Sequence, residues 1–180
     1  PIPPDSRTGF RWPHHMFELI LGLGQLNRRH GDLFSYRSIE TDVMAHCLER
    51  ATGKRLPQLL SEEIWQVAGM EESGNMTVDA AGYALASGGL SATLRDYGRF
   101  GIAYLEGRII PPAWIEATRS GNHAIFGEPY TYTLPEGAYK NQWWIEDPRS
   151  RAIYARGVFG QMIYVNWDYN MVAVKLSSWP

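Results

Sequence analysis

The stretch YKNQWWIEDPRSRAIYARGVFGQMIYVNWDYNMVAVKL, residues 139–176, decides the fold class. Aromatic and β-branched residues, which fit a pleated and half-buried surface, come here in short runs cut by turn-forming residues. The pattern predicts strands at Tyr139–Ile145, Ala152–Val158, Gln161–Asn166 and Met171–Leu176. Between them stand Asp147-Pro148-Arg149-Ser150, Phe159-Gly160 and Asp168-Tyr169-Asn170. Connections this short imply antiparallel pairing, because parallel neighbours need a crossover of about a dozen residues or more. Trp143 and Trp144 fall on opposite faces of one strand, so one is expected in the core while the other is placed to line a cleft.

Upstream, the apolar period changes from two to that of a helix. Phe17, Leu19, Ile20, Leu23 and Leu26 mark a first helix, interrupted by Gly22 and Gly24 and closed near Gly31. Ser38 is placed to cap a second helix, with Glu40 and Asp42 favourable at its positive end. Its stripe of Ile39, Val43, Met44, Cys47 and Leu48 runs up to Gly53. A third helix is predicted from Pro57 to about Val67, followed by the Gly69-Met70 break and a long surface loop. A fourth, with Leu94, Tyr97, Phe100, Ile102, Ala103 and Leu105, begins near Ser91 and stops at Gly107. Pro111-Pro112 opens a short fifth around Trp114 and Ile115. The Gly88-Gly89 pair reads as a place where backbone approaches closely. A helical block followed by a meander predicts an α+β fold, an antiparallel sheet with packed helices, without internal repeats.

The chain has 180 residues and is 44% hydrophobic, enough for one domain with a substantial core. Seventeen basic against nineteen acidic side chains leave a formal charge of −2, so no overall field draws in nucleic acid or an anionic membrane. One cysteine, Cys47, excludes an internal disulfide; on the helix stripe, with no base beside it, it reads as a small buried hydrophobe. No apolar run is long enough for a membrane helix. His14, His15, His30, His46 and His123 lack the spacing of a metal pair, so no metal or cofactor is expected. Pro1-Ile2-Pro3-Pro4 shows neither an initiator Met nor a leader pattern. It reads as an internal cut or processed end and leaves the compartment open, with a lean to the cytoplasm.

An ordered series then comes into view. Tyr36-Arg37-Ser38 precedes the second helix, and Glu49-Arg50-Ala51-Thr52-Gly53-Lys54 closes it. Gly69-Met70, Ala86-Ser87-Gly88-Gly89-Leu90-Ser91-Ala92-Thr93, Asp96 and Phe100-Gly101 follow, and Gly157-Val158-Phe159-Gly160-Gln161 stands before a strand. Each piece alone has an ordinary explanation: a tyrosine and a helix cap, or a hairpin turn. In this order and spacing they resemble the serine β-lactamase and penicillin-binding-protein superfamily, class C type. Around residues 36–43 the wording is most similar to 6-aminohexanoate-dimer (nylon-oligomer) hydrolases and their carboxylesterase relatives. The resemblance covers the chain from about Phe34 onward and implies a β-lactamase/transpeptidase-like fold.

It also implies a chemistry. In that superfamily a serine hydroxyl attacks an acyl carbonyl, activated by the lysine of a Ser-x-x-Lys helix and the tyrosine of a Tyr-x-Asn/Ser loop. Tyr36 matches that tyrosine and Ser38 the residue that tunes its hydrogen bonds. A phenol ordinarily titrates at about pH 10, so the role requires a nearby cation to lower it. Gln161 matches the backbone oxyanion donor, Gly160 the glycine that permits close approach, and Phe159 and Trp144 stand where substrate would lie. Tyr130, Tyr132 and His123 are candidates for a cleft rim.

Two departures matter. No serine has a lysine three residues later, so residues 1–180 read as the C-terminal portion of one domain, with the Ser-x-x-Lys segment missing and supplied from outside this chain. Phe159 replaces the polar Thr or His found in many relatives, which fits an ester or a small uncharged amide better than a β-lactam. The expected activity is hydrolysis of a small-molecule ester or amide through an acyl-serine, with this fragment inactive alone. A catalytically silent penicillin-binding module and a D,D-peptidase or β-lactamase are the alternatives.

Overall fold

A computed structural model describes residues 13–24 and 28–178. Leu26 and Pro1–Pro4 lie outside the described residues. The chain divides into two compact units. One takes in Pro1–Asn27, Arg37–Leu59 and Gly74–Ser91; the other takes in Arg28–Tyr36, Leu60–Ser73 and Ala92–Pro180.

The first, helical unit contains α1 (Met16–Leu21) and α2 (Ser38–Thr52). α1 is shorter than its apolar spacing predicts, because the chain turns at Gly22 and Leu23 is already outside the helix and exposed. α2 starts one residue earlier than expected: Arg37 is the N-cap and makes no side-chain capping bond, while Ser38 is the first helical residue. Gly53, at φ 69, ends α2 in the left-handed conformation that glycine adopts without strain. Asp42 is buried and accepts the Ser87 N–H at 3.1 Å, tying α2 to the loop that carries the glycine pair. The predicted apolar stripe does not form a core. Met44 and Leu48 are exposed, and so is Cys47, which corrects its reading as a buried hydrophobe. The buried side of α2 is instead the Asp42–Ala45 side.

Where a featureless loop was expected, the unit has two short antiparallel strands, β1 (Asn75–Met76) and β2 (Leu90–Ser91). A Cβ on Gly89 would lie 2.6 Å from the Leu85 carbonyl oxygen and 3.1 Å from that of Thr77, so the close approach predicted there is real. Between the strands Asp79 accepts the amides of Met16, Ala81 and Tyr83, a turn of the kind aspartate favours. The predicted third helix is a continuous helical run: α3 (Leu56–Leu60), a π-helical turn at Ser61–Trp65 and α4 (Gln66–Ala68), closed by Gly69 at φ 71.

In the second unit α5 (Leu94–Leu105) and α6 (Pro112–Arg119) precede the sheet. Thr93 caps α5 by accepting the Asp96 N–H. Five strands follow as an antiparallel meander in sequence order: β3 (Ala138–Lys140), β4 (Trp143–Ile145), β5 (Ala152–Arg156), β6 (Met162–Asn166) and β7 (Met171–Lys175). The one correction to the strand pattern is that Tyr139–Ile145 is two strands. Asn141 and Gln142, at φ 51 and 70, form a two-residue turn of the mirror-image type that suits a hairpin's twist. No glycine announces it.

Strand alternation gives the sheet two distinct faces. Ala138, Trp143, Ile145, Ile153 and Val165 are buried on one face with Tyr104 of α5 and Ile115 of α6. Burying a side chain such as Ile153 contributes about 1.5–3 kcal/mol. Gly101 lets α5 come close: a Cβ there would meet Val172 Cγ1 at 2.5 Å and Ile163 Cγ2 at 3.4 Å. The other face is aromatic. Its cross-strand row is Tyr139, Trp144, Tyr154, Tyr164.

Candidate active site

That aromatic row is the floor on which Tyr36 is set. The chain just before α2 carries Phe34, whose ring packs against Phe126, Tyr130 and Tyr139 at centroid distances of 5.5, 4.8 and 4.7 Å. The Phe34 amide donates to the Ile125 carbonyl at 2.7 Å. With this anchor in place, the Tyr36 amide donates to Tyr130 Oη at 2.8 Å. The Tyr36 ring lies nearly parallel to Trp144, 5.5 Å away at 20°, and edge-on to Tyr139 at 5.7 Å. Contacts of this kind add about 0.5–1.5 kcal/mol each beyond area burial. Tyr36 stays 43% exposed, and among the described residues its hydroxyl has no hydrogen-bond partner. Ring and backbone are fixed and the hydroxyl is left open.

Burial acts on two phenols of the floor. It pushes the Tyr154 phenol up to about 12. It also raises Tyr139, with the neighbouring Tyr36 adding to the effect, and the Tyr139 hydroxyl donates to Gln142 Oε1 at 3.1 Å. Arg156, on the same face of β5, holds its guanidinium 5.4 Å from the Tyr154 ring centre. Trp143 and Trp144 part as alternation predicts: Trp143 is in the helix-facing core, and Trp144 is half-buried under Tyr36.

The β5–β6 connection holds three more of the predicted residues. Val158–Gly160 forms a short 3-10 turn in which Phe159 has φ 60 and Gly160 φ 82. Phe159 is 61% exposed. Gly160 needs its freedom for φ rather than for space, since a Cβ there would touch nothing closer than Lys175 Nζ at 3.5 Å. The Gln161 side chain clamps the turn to the end of β7 by donating to the Ser177 carbonyl and accepting the Ser177 N–H at 3.0 Å. Its backbone N–H points at the Val158 carbonyl from 3.5 Å, too far for a good bond. An amide held this loosely is available to a better acceptor.

The structure thus puts Tyr36 and Trp144 in direct contact and sets Phe159, Gly160 and Gln161 on the turn at one end of the same sheet. Ser38 belongs to the helical unit, where it is exposed in the first turn of α2. Of the predicted rim, Tyr130 holds the Tyr36 backbone, Tyr132 is 74% exposed, and His123 is occupied by the Gly137 carbonyl at 2.7 Å from Nδ1. Sequence reasoning passed over Phe34, Phe126 and Tyr139. The signal for Tyr139 was there, in its pairing with Trp144 across the hairpin; Phe34 and Phe126 meet only in the tertiary fold. Among the described residues no three His, Cys, Asp or Glu side chains are grouped to hold a metal ion, and no helix is long and apolar enough to cross a membrane.

A helix-backed antiparallel meander with a tyrosine displayed before α2 and a glycine turn before β6 defines a class, and the chain belongs to it: the beta-lactamase family, whose model matches residues 16–180. Within that family the chain is 36% identical over 155 residues to the 6-aminohexanoate-dimer hydrolase of Paenarthrobacter ureafaciens, a match covering 82% of this chain and 40% of the relative. Its structure superimposes with a TM-score of 0.83 on a Bacillus anthracis protein provisionally named a 6-aminohexanoate-dimer hydrolase, at 29% identity. That match covers 98% of this chain and 45% of the other. The chain therefore spans less than half the length of either relative, and its fold is the corresponding part of a beta-lactamase-like fold.

Proposed function

We propose that this chain supplies the tyrosine, the oxyanion-binding turn and one substrate wall of a serine hydrolase that cleaves an amide, such as a 6-aminohexanoate oligomer, or a carboxylic ester. The observation that carries the reading is Tyr36 itself, fixed through its backbone on Tyr130 and through its ring on Trp144 while its hydroxyl stays open. The 36% identity to a 6-aminohexanoate-dimer hydrolase supports the same reading.

In this mechanism a serine outside the 180 residues attacks the acyl carbon. Tyr36 Oη relays the serine proton toward the leaving amine or alcohol, and an acyl-serine forms. Water then attacks the acyl carbon as Tyr36 takes up its proton; the acyl–serine bond breaks, Tyr36 passes that proton to the serine oxygen, and the acid is released with the serine hydroxyl restored. The Gln161 N–H stabilises the tetrahedral oxyanion, exchanging its long contact with Val158 for a shorter bond to a charged oxygen. Phe159 and Trp144 offer apolar surface to the acyl chain. The apolar Phe159 at the turn favours a substrate without a carboxylate at the bond being cut. In this reading residues 1–180 form the C-terminal portion of a single hydrolase domain and have no activity alone.

The test uses the longer protein that contains this chain. A fluorophosphonate probe followed by intact mass and peptide mapping is expected to place one adduct on a serine outside these residues. Tyr36→Phe is expected to lower turnover of the 6-aminohexanoate dimer, or of a p-nitrophenyl ester, by about 10²–10⁴-fold with an unchanged circular dichroism spectrum. Near-wild-type turnover in a folded variant would refute the role of Tyr36. An intact longer protein that takes no adduct points to the catalytically silent module.

A further inference from the structure

The helical unit has a cleft that the proposed chemistry does not use. It has a volume of about 530 Å³, within the range of small-molecule sites. Phe17 of α1, the last two turns of α2, the Gly53-Lys54-Arg55 segment and Tyr83 line it. On α2, His46, Glu49 and Arg50 recur at the spacing of three to four that places side chains on one helical face, and Gly53 continues that row.

The charges in the cleft are unequal. Among the described lining residues Glu49 is the one acid, against Arg50, Lys54 and Arg55. Both Glu49 oxygens are engaged: Oε1 accepts the Leu56 N–H at 2.7 Å, and Oε2 lies 3.5 Å from the Arg55 guanidinium. Arg55 is itself fixed, donating to the Gly82 carbonyl and lying 4.2 Å over the Tyr83 ring. The described residues of the lining therefore carry a net positive charge in a chain whose overall charge is −2. The apolar part is ordered as well. The His46 imidazole sits between Phe17, at 5.5 Å, and Tyr83, at 4.6 Å. A row of three rings, each tilted against the next, thus stands beside Arg50 and Lys54.

We propose that this cleft binds a small organic anion that joins a planar apolar body to a phosphate or carboxylate group. The body lies against Phe17, His46 and Tyr83, and the anionic group meets Arg50 and Lys54. Arg50 also complements the negative end of the α2 dipole, a purely structural role that requires no ligand. Saturable binding separates the two roles.

Phenyl phosphate and benzoate are the probes, titrated into the ¹⁵N-labelled chain at low salt, with inorganic phosphate as the comparison. Saturating shifts of the Arg50, Gly53 and Tyr83 amides are expected, with phenyl phosphate binding more tightly than phosphate. Arg50→Gln and Lys54→Gln, checked for native circular dichroism, should each weaken phenyl phosphate by about tenfold. Tyr83→Leu should reduce the preference for phenyl phosphate over inorganic phosphate. Shifts that grow linearly without saturating, or an affinity untouched by Arg50→Gln and Lys54→Gln, would overturn the site. Equal affinity for the phenyl ester and inorganic phosphate would overturn the part played by the Phe17, His46 and Tyr83 rings.

Discussion

At the scale of single residues, the polar contacts with the clearest consequences are made by Asp96 and Tyr130. Asp96 is buried near the start of α5 and accepts from the Glu71 N–H at 2.9 Å, the Glu72 N–H at 3.1 Å, Thr93 Oγ1 at 2.9 Å and Arg99 Nη1 at 3.1 Å. The Glu71 amide does most to hold its carboxyl below the ordinary carboxylate range, helped by Thr93, Glu72 and Arg99 against the opposing effect of desolvation. A folded pKa below the unfolded one means stability that is full above about pH 4 and is lost as pH falls through the folded value. Asp96→Asn should therefore lower the melting temperature at neutral pH, and the gap to wild type should narrow as pH falls below about 4 in thermal melts. A gap that stays constant with pH would show that the carboxylate charge contributes nothing. Tyr130→Phe removes the acceptor of the Tyr36 amide. Urea denaturation should show a cost of about 0.5–1.5 kcal/mol, at the lower end because the bond is exposed. If Tyr36 acts as proposed, turnover in the longer protein should fall by more than that loss of stability accounts for.

At the scale of elements, α5 on the sheet and α2 in the helical unit behave in opposite ways. α5 buries Gly101, Ala103 and Tyr104, and its approach to β6 and β7 depends on the missing Cβ of Gly101. Gly101→Ala forces Val172 to move and should cost about 1–3 kcal/mol in chemical denaturation, although alanine favours helix more than glycine does. α2 displays Met44, Cys47 and Leu48 to solvent. Cys47 should react completely with a disulfide reagent such as Ellman's without denaturant, whereas a thiol that waits for unfolding would place it in the core. The same pair shows what was legible in the sequence. The pattern of α5 located the helix and part of its buried side: Ala103 is buried and Phe100 and Leu105 pack on the core under the sheet, whereas Leu94 and Ile102 are exposed. The stripe on α2 located the helix but named the wrong buried side: periodicity records which face is apolar, not what covers it. The Asn141-Gln142 turn escaped notice because two positive-φ residues other than glycine leave little mark in composition.

For the whole molecule, sequence order carried much of the architecture. The α+β class, the meander and the beta-lactamase family were all legible, since neighbouring strands are neighbours in the chain and family motifs keep their order. Of the candidate site, the local pieces could be named from the sequence: Tyr36 and the turn at Phe159-Gly160-Gln161. The site was hidden where it is tertiary, in the packing of Phe34 and Phe126 beneath the tyrosine. The meander also bears on how the sheet comes into being. The connections between its strands are two to six residues long, so each pairing closes a short loop and loses little chain entropy before the first contact forms. Sheets usually fold slowly because their partners are distant in sequence. This one can zip from hairpin to hairpin, and β7, as it leaves a ribosome, meets a partner that has only just preceded it.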